Sequence, residues 1–168
     1  AKYISYLLTP ATVCLAVPLY EQLELLKKNK VAVVCGILSG TLASLTGIFV
    51  LCMLFGFNHQ QYVTMLPKSI TTAIGIGISE ELGGIVTITV AVIIITGILG
   101  NVIADTVFHI FKIKNPLAKG LALGTASHAI GTARAIEMGP VEGAMSSLAV
   151  AVAGLLTVVF VSGFAQLI

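Results

Sequence analysis

Apolar residues in this chain do not alternate with polar ones. They run on without a break. Continuous apolar runs fill Val31–Phe55, Gly84–Phe111 and Glu142–Ile168. A helix rising about 1.5 Å per residue needs roughly 20 such residues to cross the hydrocarbon of a bilayer. Each run therefore predicts a spanning helix. Tyr3–Tyr20 is a shorter candidate, interrupted by Pro10 and Pro18. Tyr62–Gly83 and Leu117–Gly139 are also apolar, but glycines and hydroxyls recur through both.

The few charges give these segments a direction. Lys27, Lys28 and Lys30 precede the first long run, and Lys112, Lys114 and Lys119 follow the second. Lysine and arginine in short loops favour the cytoplasmic side. Gly56–Gln61 carries neither and is expected outside. The first run then leads outward and the second inward. Tyr62–Gly83 must start and finish outside, and Leu117–Gly139 must start and finish in the cytoplasm. Both are expected as re-entrant segments reaching the middle of the bilayer. The competing reading makes each a full crossing helix, broken midway, with the second lysine cluster outside.

Composition agrees with a bilayer as the solvent. Of 168 residues, 57% are hydrophobic and 10% charged, against about 25% charged in soluble domains. The mean hydropathy is +1.06. A net charge of +2, with no basic stripe interleaved with aromatics, excludes a nucleic-acid partner. Cys14, Cys35 and Cys52 sit singly in apolar runs and read as packing residues. Residues 1–168 form one membrane domain, an all-α multi-span helical bundle with two Gly/hydroxyl-rich broken or re-entrant segments. The start at Ala1, ahead of an apolar run, lacks a signal-peptide pattern. The native N-terminus is expected further upstream.

The two glycine-rich segments align with each other. SITTAIGIGISEELGGIV (Ser69–Val86) lies without gaps on TASHAIGTARAIEMGPVE (Thr125–Glu142). Ala73, Ile74, Gly75, Glu81 and Gly83 match Ala129, Ile130, Gly131, Glu137 and Gly139. A long apolar helix follows each copy, giving repeat copies of about 62–111 and 117–168. With re-entrant topology the copies enter from opposite sides and form an inverted repeat. Paired, glycine-interrupted segments of this kind point to the binding site of a transporter. Similarity arising by chance between two apolar stretches is the alternative.

The ionisable chemistry gathers in the second copy. Irregular backbone at membrane depth survives only where it lines protein or a water-filled cavity. The N-terminus of a half-helix there presents free N–H groups and partial positive charge, which suits an anion. Thr125 and Ser127 in one copy, and Ser69, Thr71 and Thr72 in the other, supply hydroxyls for such a site. Arg134 can clamp a carboxylate with two parallel hydrogen bonds, held by Glu137 three residues on. His128 can titrate near neutral pH and couple proton movement. Lys68 adds positive charge if it lies deep and merely snorkels if it lies near the interface. The plainer reading makes Arg134–Glu137 a structural ion pair and His128 a hydrogen-bonded core histidine. Ionisable groups inside a membrane are costly, which weighs toward function.

Other features are structural. Asn101, Asp105 and His109 form one polar stripe near the cytoplasmic end of their helix, expected either to line a vestibule or to mark a solvated helix end. Glu80 and Glu81 are expected at the outer rim, His59 in an outer loop, and Glu142 at a helix N-terminus. Gly36 with Gly40, Ser39 with Ala43 and Gly47, and Ser147 with Ala151 and Gly154 form small-residue faces that suit close helix packing and a homodimer.

Leu66–Gly100 and Lys114–Val150, above all the GTASHAIGTAR run, strongly resemble the LrgB/CidB family of bacterial membrane proteins, as does LLTPATVCLAVPLYEQ (Leu7–Gln22). Family members usually carry two more N-terminal spans, and many have proline where this chain has Ala73. The resemblance implies a multi-pass protein of the bacterial inner membrane. One implied role is holin/antiholin-like control of murein hydrolase activity and lysis with an LrgA/CidA-type membrane partner. Another is transport of small 2-oxo or 2-hydroxy monocarboxylates, the class of pyruvate, glycolate and glycerate. The motif positions carried over are Lys68, Ser69, Thr71, Thr72, Thr125, Ser127, His128, Thr132, Arg134 and Glu137.

Two functions are thus expected from the sequence. The first is a secondary transporter of small monocarboxylates with an anion site at broken half-helix ends. The alternative is the antiholin-like regulator, acting through oligomerisation. An enzyme is not expected, since no metal spacing, nucleotide loop or Ser-His-Asp order occurs. No cofactor or metal is expected. The partners are the carboxylate and membrane lipid.

Overall fold

A computed structural model describes residues 20–168. Cys14 and all of the Tyr3–Tyr20 run except its last residue lie outside the described residues. Among those described there are seven α-helices, one short 3-10 turn and no strand. The helices are α1 (Leu23–Lys28), α2 (Lys30–Leu54), α3 (His59–Met65), α4 (Thr72–Glu81), α5 (Val86–Ile110), α6 (Pro116–Met138) and α7 (Pro140–Phe164). Three are long and apolar enough to cross a membrane: α2, α5, and α7 with its terminal turn. They coincide with the three continuous apolar runs to within a few residues.

Local sequence sets the boundaries. Asn58 caps α3 by accepting from the Gln61 N–H at 2.9 Å, while the Gln61 side chain accepts from the Asn58 N–H at 3.0 Å. Asn115 caps α6 at the Leu117 N–H, with Pro116 in the first turn. Pro140 opens α7 and Glu142 sits in its first turn, where a carboxylate complements the helix dipole. Gly83 ends the excursion after α4 at a φ of 74°, a conformation open to glycine without a Cβ penalty.

Side-chain contacts fix the directions of the helices. A Cβ at Gly36 would meet Leu121, and one at Gly40 would meet Thr125, so α2 and the first half of α6 run the same way. Asn101 donates to Ile130 O and Arg134 pairs with Asp105, so α5 runs alongside the second half of α6. The starts of α2, α6 and α7 and the end of α5 therefore share one end of the bundle. That end carries Lys30, Lys112, Lys114 and Lys119.

The segment between α2 and α5 begins and ends at the opposite end. Gln60 Nε2 donates to Gly83 O at 3.4 Å, and Thr64 Oγ1 accepts from the Ile85 N–H at 2.9 Å. Its turn, Leu66–Thr71, reaches Ser44, near the middle of α2. An apolar cluster including Leu45, Ile48, Tyr62, Leu66, Ile78 and Val161 packs this half of the bundle.

α6 contains a reversal. His128 has φ 43° and ψ −137°, outside the helical region. Before it, Gly120 lies against Glu142 and Met145, and Gly124 against Ser146 and Ala149, in parallel with α7. After it, Thr132 meets Ser146 and Ile136 meets Gly143, in the antiparallel sense. Gly131 then lies close to Leu123 O. The chain doubles back at His128, level with Ile93 and Gly97 near the middle of α5.

Candidate functional site

The irregular stretch Leu66–Thr71 and the helical turn of α6 that ends just before His128 come together in the interior. Between them lies a cavity of about 10 Å³, lined by Thr41, Ser44, Ser69, Thr125 and Thr157 together with apolar side chains. A space of this size admits about one water molecule. Ser69 and Thr125 occupy the same position when the two glycine-rich segments are aligned in sequence.

Ser44 Oγ donates to Ser69 Oγ at 3.0 Å, and Lys68 Nζ donates to the same oxygen at 2.9 Å. Ser69 accepts twice, which leaves its own proton free. Thr41 Oγ1 is buried and has no hydrogen-bond partner among the described residues. Thr125 and Thr157 spend their protons on their own helices, on Leu121 O at 2.8 Å and Ala153 O at 2.7 Å, and turn lone pairs outward. The free donors are thus the Ser69 and Thr41 hydroxyls, with the Lys68 ammonium directly behind Ser69. Lys68 has no carboxylate within 4.0 Å among the described residues. A donor set with an unneutralised cation behind it favours an anion.

The other residues singled out from sequence lie elsewhere. Thr71 caps α4 only through its backbone, and Thr71 and Thr72 are half-buried. Ser127 is buried against Gly100, where an added Cβ would collide with its Oγ. His128 is buried, with Nε2 2.9 Å from Ile93 O. Thr132 is fully buried, donating to His128 O or to Ser146 Oγ at 3.0 and 2.8 Å. These residues secure the reversal. Arg134 is not brought to the cavity. Its guanidinium is held between Asp105 of α5 and Glu137, the latter at 2.7 Å, with both carboxylates largely exposed.

Thr41, Ser44 and Thr157 were missed by sequence reasoning. Their signal was a hydroxyl in an otherwise apolar helix, which by itself marks packing as readily as binding. The sequence shows Asp105 only as part of a polar stripe with Asn101 and His109, and its partner Arg134 emerges from the packing of α5 against α6. Of the small residues, Gly36 and Gly40 receive α6 within the same chain. His59 Nδ1 lies 2.7 Å from Ile168 O. Cys35 and Cys52 are free thiols, the second buried. Among the described residues, no three His, Cys, Asp or Glu side chains converge on a possible metal position.

The family model described as LrgB-like matches residues 1–167. Antiholin-like protein LrgB of Bacillus cereus (strain B4264) is 42% identical over 163 residues, covering 97% of this chain and 71% of the relative. The protein of the same name from Bacillus anthracis (strain A0248) has the same identity and coverage. No solved structure matches.

Proposed function

The chain belongs to the LrgB-like family, and from that premise we propose that it is an inner-membrane transporter of small 2-oxo or 2-hydroxy monocarboxylates. In this reading 59–83 and 116–138 are re-entrant hairpins entering from opposite faces as an inverted repeat. Support comes from the meeting of Gln60 with Gly83 and from the reversal at His128. The observation that carries the proposal is the hydroxyl-lined cavity shared by Ser69 and Thr125, with Thr41 unpartnered among the described residues and the Lys68 ammonium behind Ser69. Sites of this class lie near the midplane where repeats meet.

In this reading, one carboxylate oxygen accepts from the Ser69 and Thr41 hydroxyls, and Lys68 balances the charge. The substrate's own hydroxyl or carbonyl faces Thr125 and Thr157. The cavity is too small for a three-carbon acid, so the conformation described is closed. Transport requires the hairpins to separate from α2 and α7. Arg134, bridging α5 to the second hairpin, holds that closed arrangement on the lysine-rich side.

A second reading is favoured by the relatives' names, which support it more directly than the first. It makes the chain an antiholin-like regulator of murein hydrolase activity, assembled as a homo-oligomer with an LrgA-type membrane partner. Neither reading needs a cofactor or a catalytic step. Uptake of labelled pyruvate into proteoliposomes of the full-length protein, with glycolate as competitor, separates them. Saturable, competed uptake supports the transporter. A non-saturable leak equal to that of empty liposomes, together with altered autolysis in cells lacking the gene, supports the regulator.

A further inference from the structure

A second, larger pocket lies away from the cavity, at the lysine-rich end. It is open, about 550 Å³ in volume, and lies between the end of α5 and the start of α6. Lys112, Lys114 and Lys119 line it, with His109, Phe108 and Asp105. The one carboxylate there, Asp105, is paired with Arg134. Lys119 is steered inward, its Nζ 5.8 Å from the centre of the Phe108 ring. Lys112 adopts a φ of 54°, which turns the chain sharply after α5 and sets Lys112 and Lys114 on the pocket wall. Three lysines thus line a space in which, among the described residues, no carboxylate is left unpaired.

The pocket adjoins an apolar surface. On the face of α5 that carries Asp105 and His109, Ile98 and Val102 lie seven and three residues before Asp105, toward the middle of the helix, and both are half exposed or more. An occupant with a negative headgroup and hydrocarbon chains satisfies both surfaces together, whereas a soluble anion leaves the apolar face uncovered. Basic pockets between helices on the positive side of a membrane take anionic lipid headgroups.

We propose that this pocket binds the phosphodiester of an anionic phospholipid, with Lys112, Lys114 and Lys119 around the phosphate and the acyl chains along α5. Because the headgroup sits beside Asp105, its binding also braces the contact between α5 and the second half of α6.

The test is thermal unfolding of the full-length protein in neutral detergent. The additions are phosphatidylglycerol, phosphatidylcholine, inorganic phosphate or glycerol 3-phosphate. Phosphatidylglycerol is expected to raise Tm by about 3–5 °C, the scale of a ligand well above its Kd. The other three are expected to give no shift. Lys112→Gln/Lys114→Gln/Lys119→Gln should lose most of the rise, and Lys27→Gln/Lys28→Gln/Lys30→Gln, at the same end, should keep it. If the triple variant does not fold, Lys112→Gln and Lys114→Gln alone, both at exposed positions, should each reduce the rise. An equal rise with inorganic phosphate or glycerol 3-phosphate overturns the lipid. A rise retained by the pocket variants, or lost equally in both lysine clusters, overturns the site.

Discussion

Ser44, midway along α2, donates a 3.0 Å hydrogen bond to Ser69 at the turn between α3 and α4. This bond ties an irregular stretch of backbone to a spanning helix at mid-depth. Hydrogen bonds between side chains inside membrane proteins average only about 0.6 kcal/mol. Ser44→Ala is therefore expected to destabilise the protein by about 0.5–1 kcal/mol. Ser44→Ala and Ser69→Ala should be less than additive in a double-mutant cycle read by thermal unfolding. Strict additivity would mean that the two hydroxyls do not interact.

His128 combines a positive φ with a hydrogen bond from its ring to Ile93 O. Replacing it tests the backbone and the side chain separately. His128→Ala loses the bond and keeps the strained backbone, and should cost about 2–3 kcal/mol. His128→Gly loses the bond but relieves the strain, and should cost about 1 kcal/mol less than alanine. Equal losses in the two variants would show that the reversal does not depend on this residue's conformation.

Glycines in the bundle differ in what they face. A Cβ at Gly124 would strike Ser146 O and lie 2.7 Å from Ala149 Cβ, whereas one at Gly47 meets nothing within 4 Å. Gly124→Ala should destabilise by about 1–3 kcal/mol through overpacking. Gly47→Ala should be neutral or slightly stabilising through helix propensity. Detergent-unfolding midpoints of the two variants compare them directly.

Arg134 joins Asp105 to Glu137 across two helices. The three side chains act as one group, so Arg134→Ala and Asp105→Ala should be non-additive, and Arg134→Lys should retain only part of the link because lysine lacks the fork. As a brace of the closed form, its loss should raise accessibility of a cysteine placed at Thr41 to a membrane-permeant thiol reagent. Unchanged accessibility would show that the triad is only a surface ion pair.

Topology has its own check. With Cys14, Cys35 and Cys52 replaced, single cysteines at Asn58 and Glu81 should label from one side of the membrane and a cysteine at Lys114 from the other. Labelling of Asn58 and Glu81 from opposite sides would make 59–83 a crossing segment.

The long apolar runs were fully legible in sequence. Continuous hydrophobicity of spanning length has few other physical solutions, and α2, α5 and α7 fall on those runs. The family was legible in the GTASHAIGTAR run for a different reason, its specificity. The composition of the cavity was only half visible. Ser69 and Thr125 stood out because they sit in glycine- and hydroxyl-rich segments that align with each other. Thr41, Ser44 and Thr157 did not, since a lone hydroxyl in an apolar helix gives no sign of the direction it faces. Arg134 stood out for its charge, yet its position follows from Asp105, a residue 29 positions away in sequence. Long-range pairing of that kind depends on how α5 and α6 lie side by side, and no local pattern encodes it.

The central claim is that the cavity shared by Ser69 and Thr125 binds the carboxylate. The most direct measurement is saturable pyruvate uptake by proteoliposomes carrying the full-length protein as wild type, Thr41→Val, Ser69→Ala or Gly47→Ala. Valine keeps the shape of Thr41 and removes only its hydroxyl. Uptake is predicted to fall at least about tenfold in Thr41→Val and Ser69→Ala, the effect of losing a hydrogen bond to a charged group, and to persist in Gly47→Ala. Equal saturable uptake in all four proteins would contradict the claim and move the binding site elsewhere in the bundle.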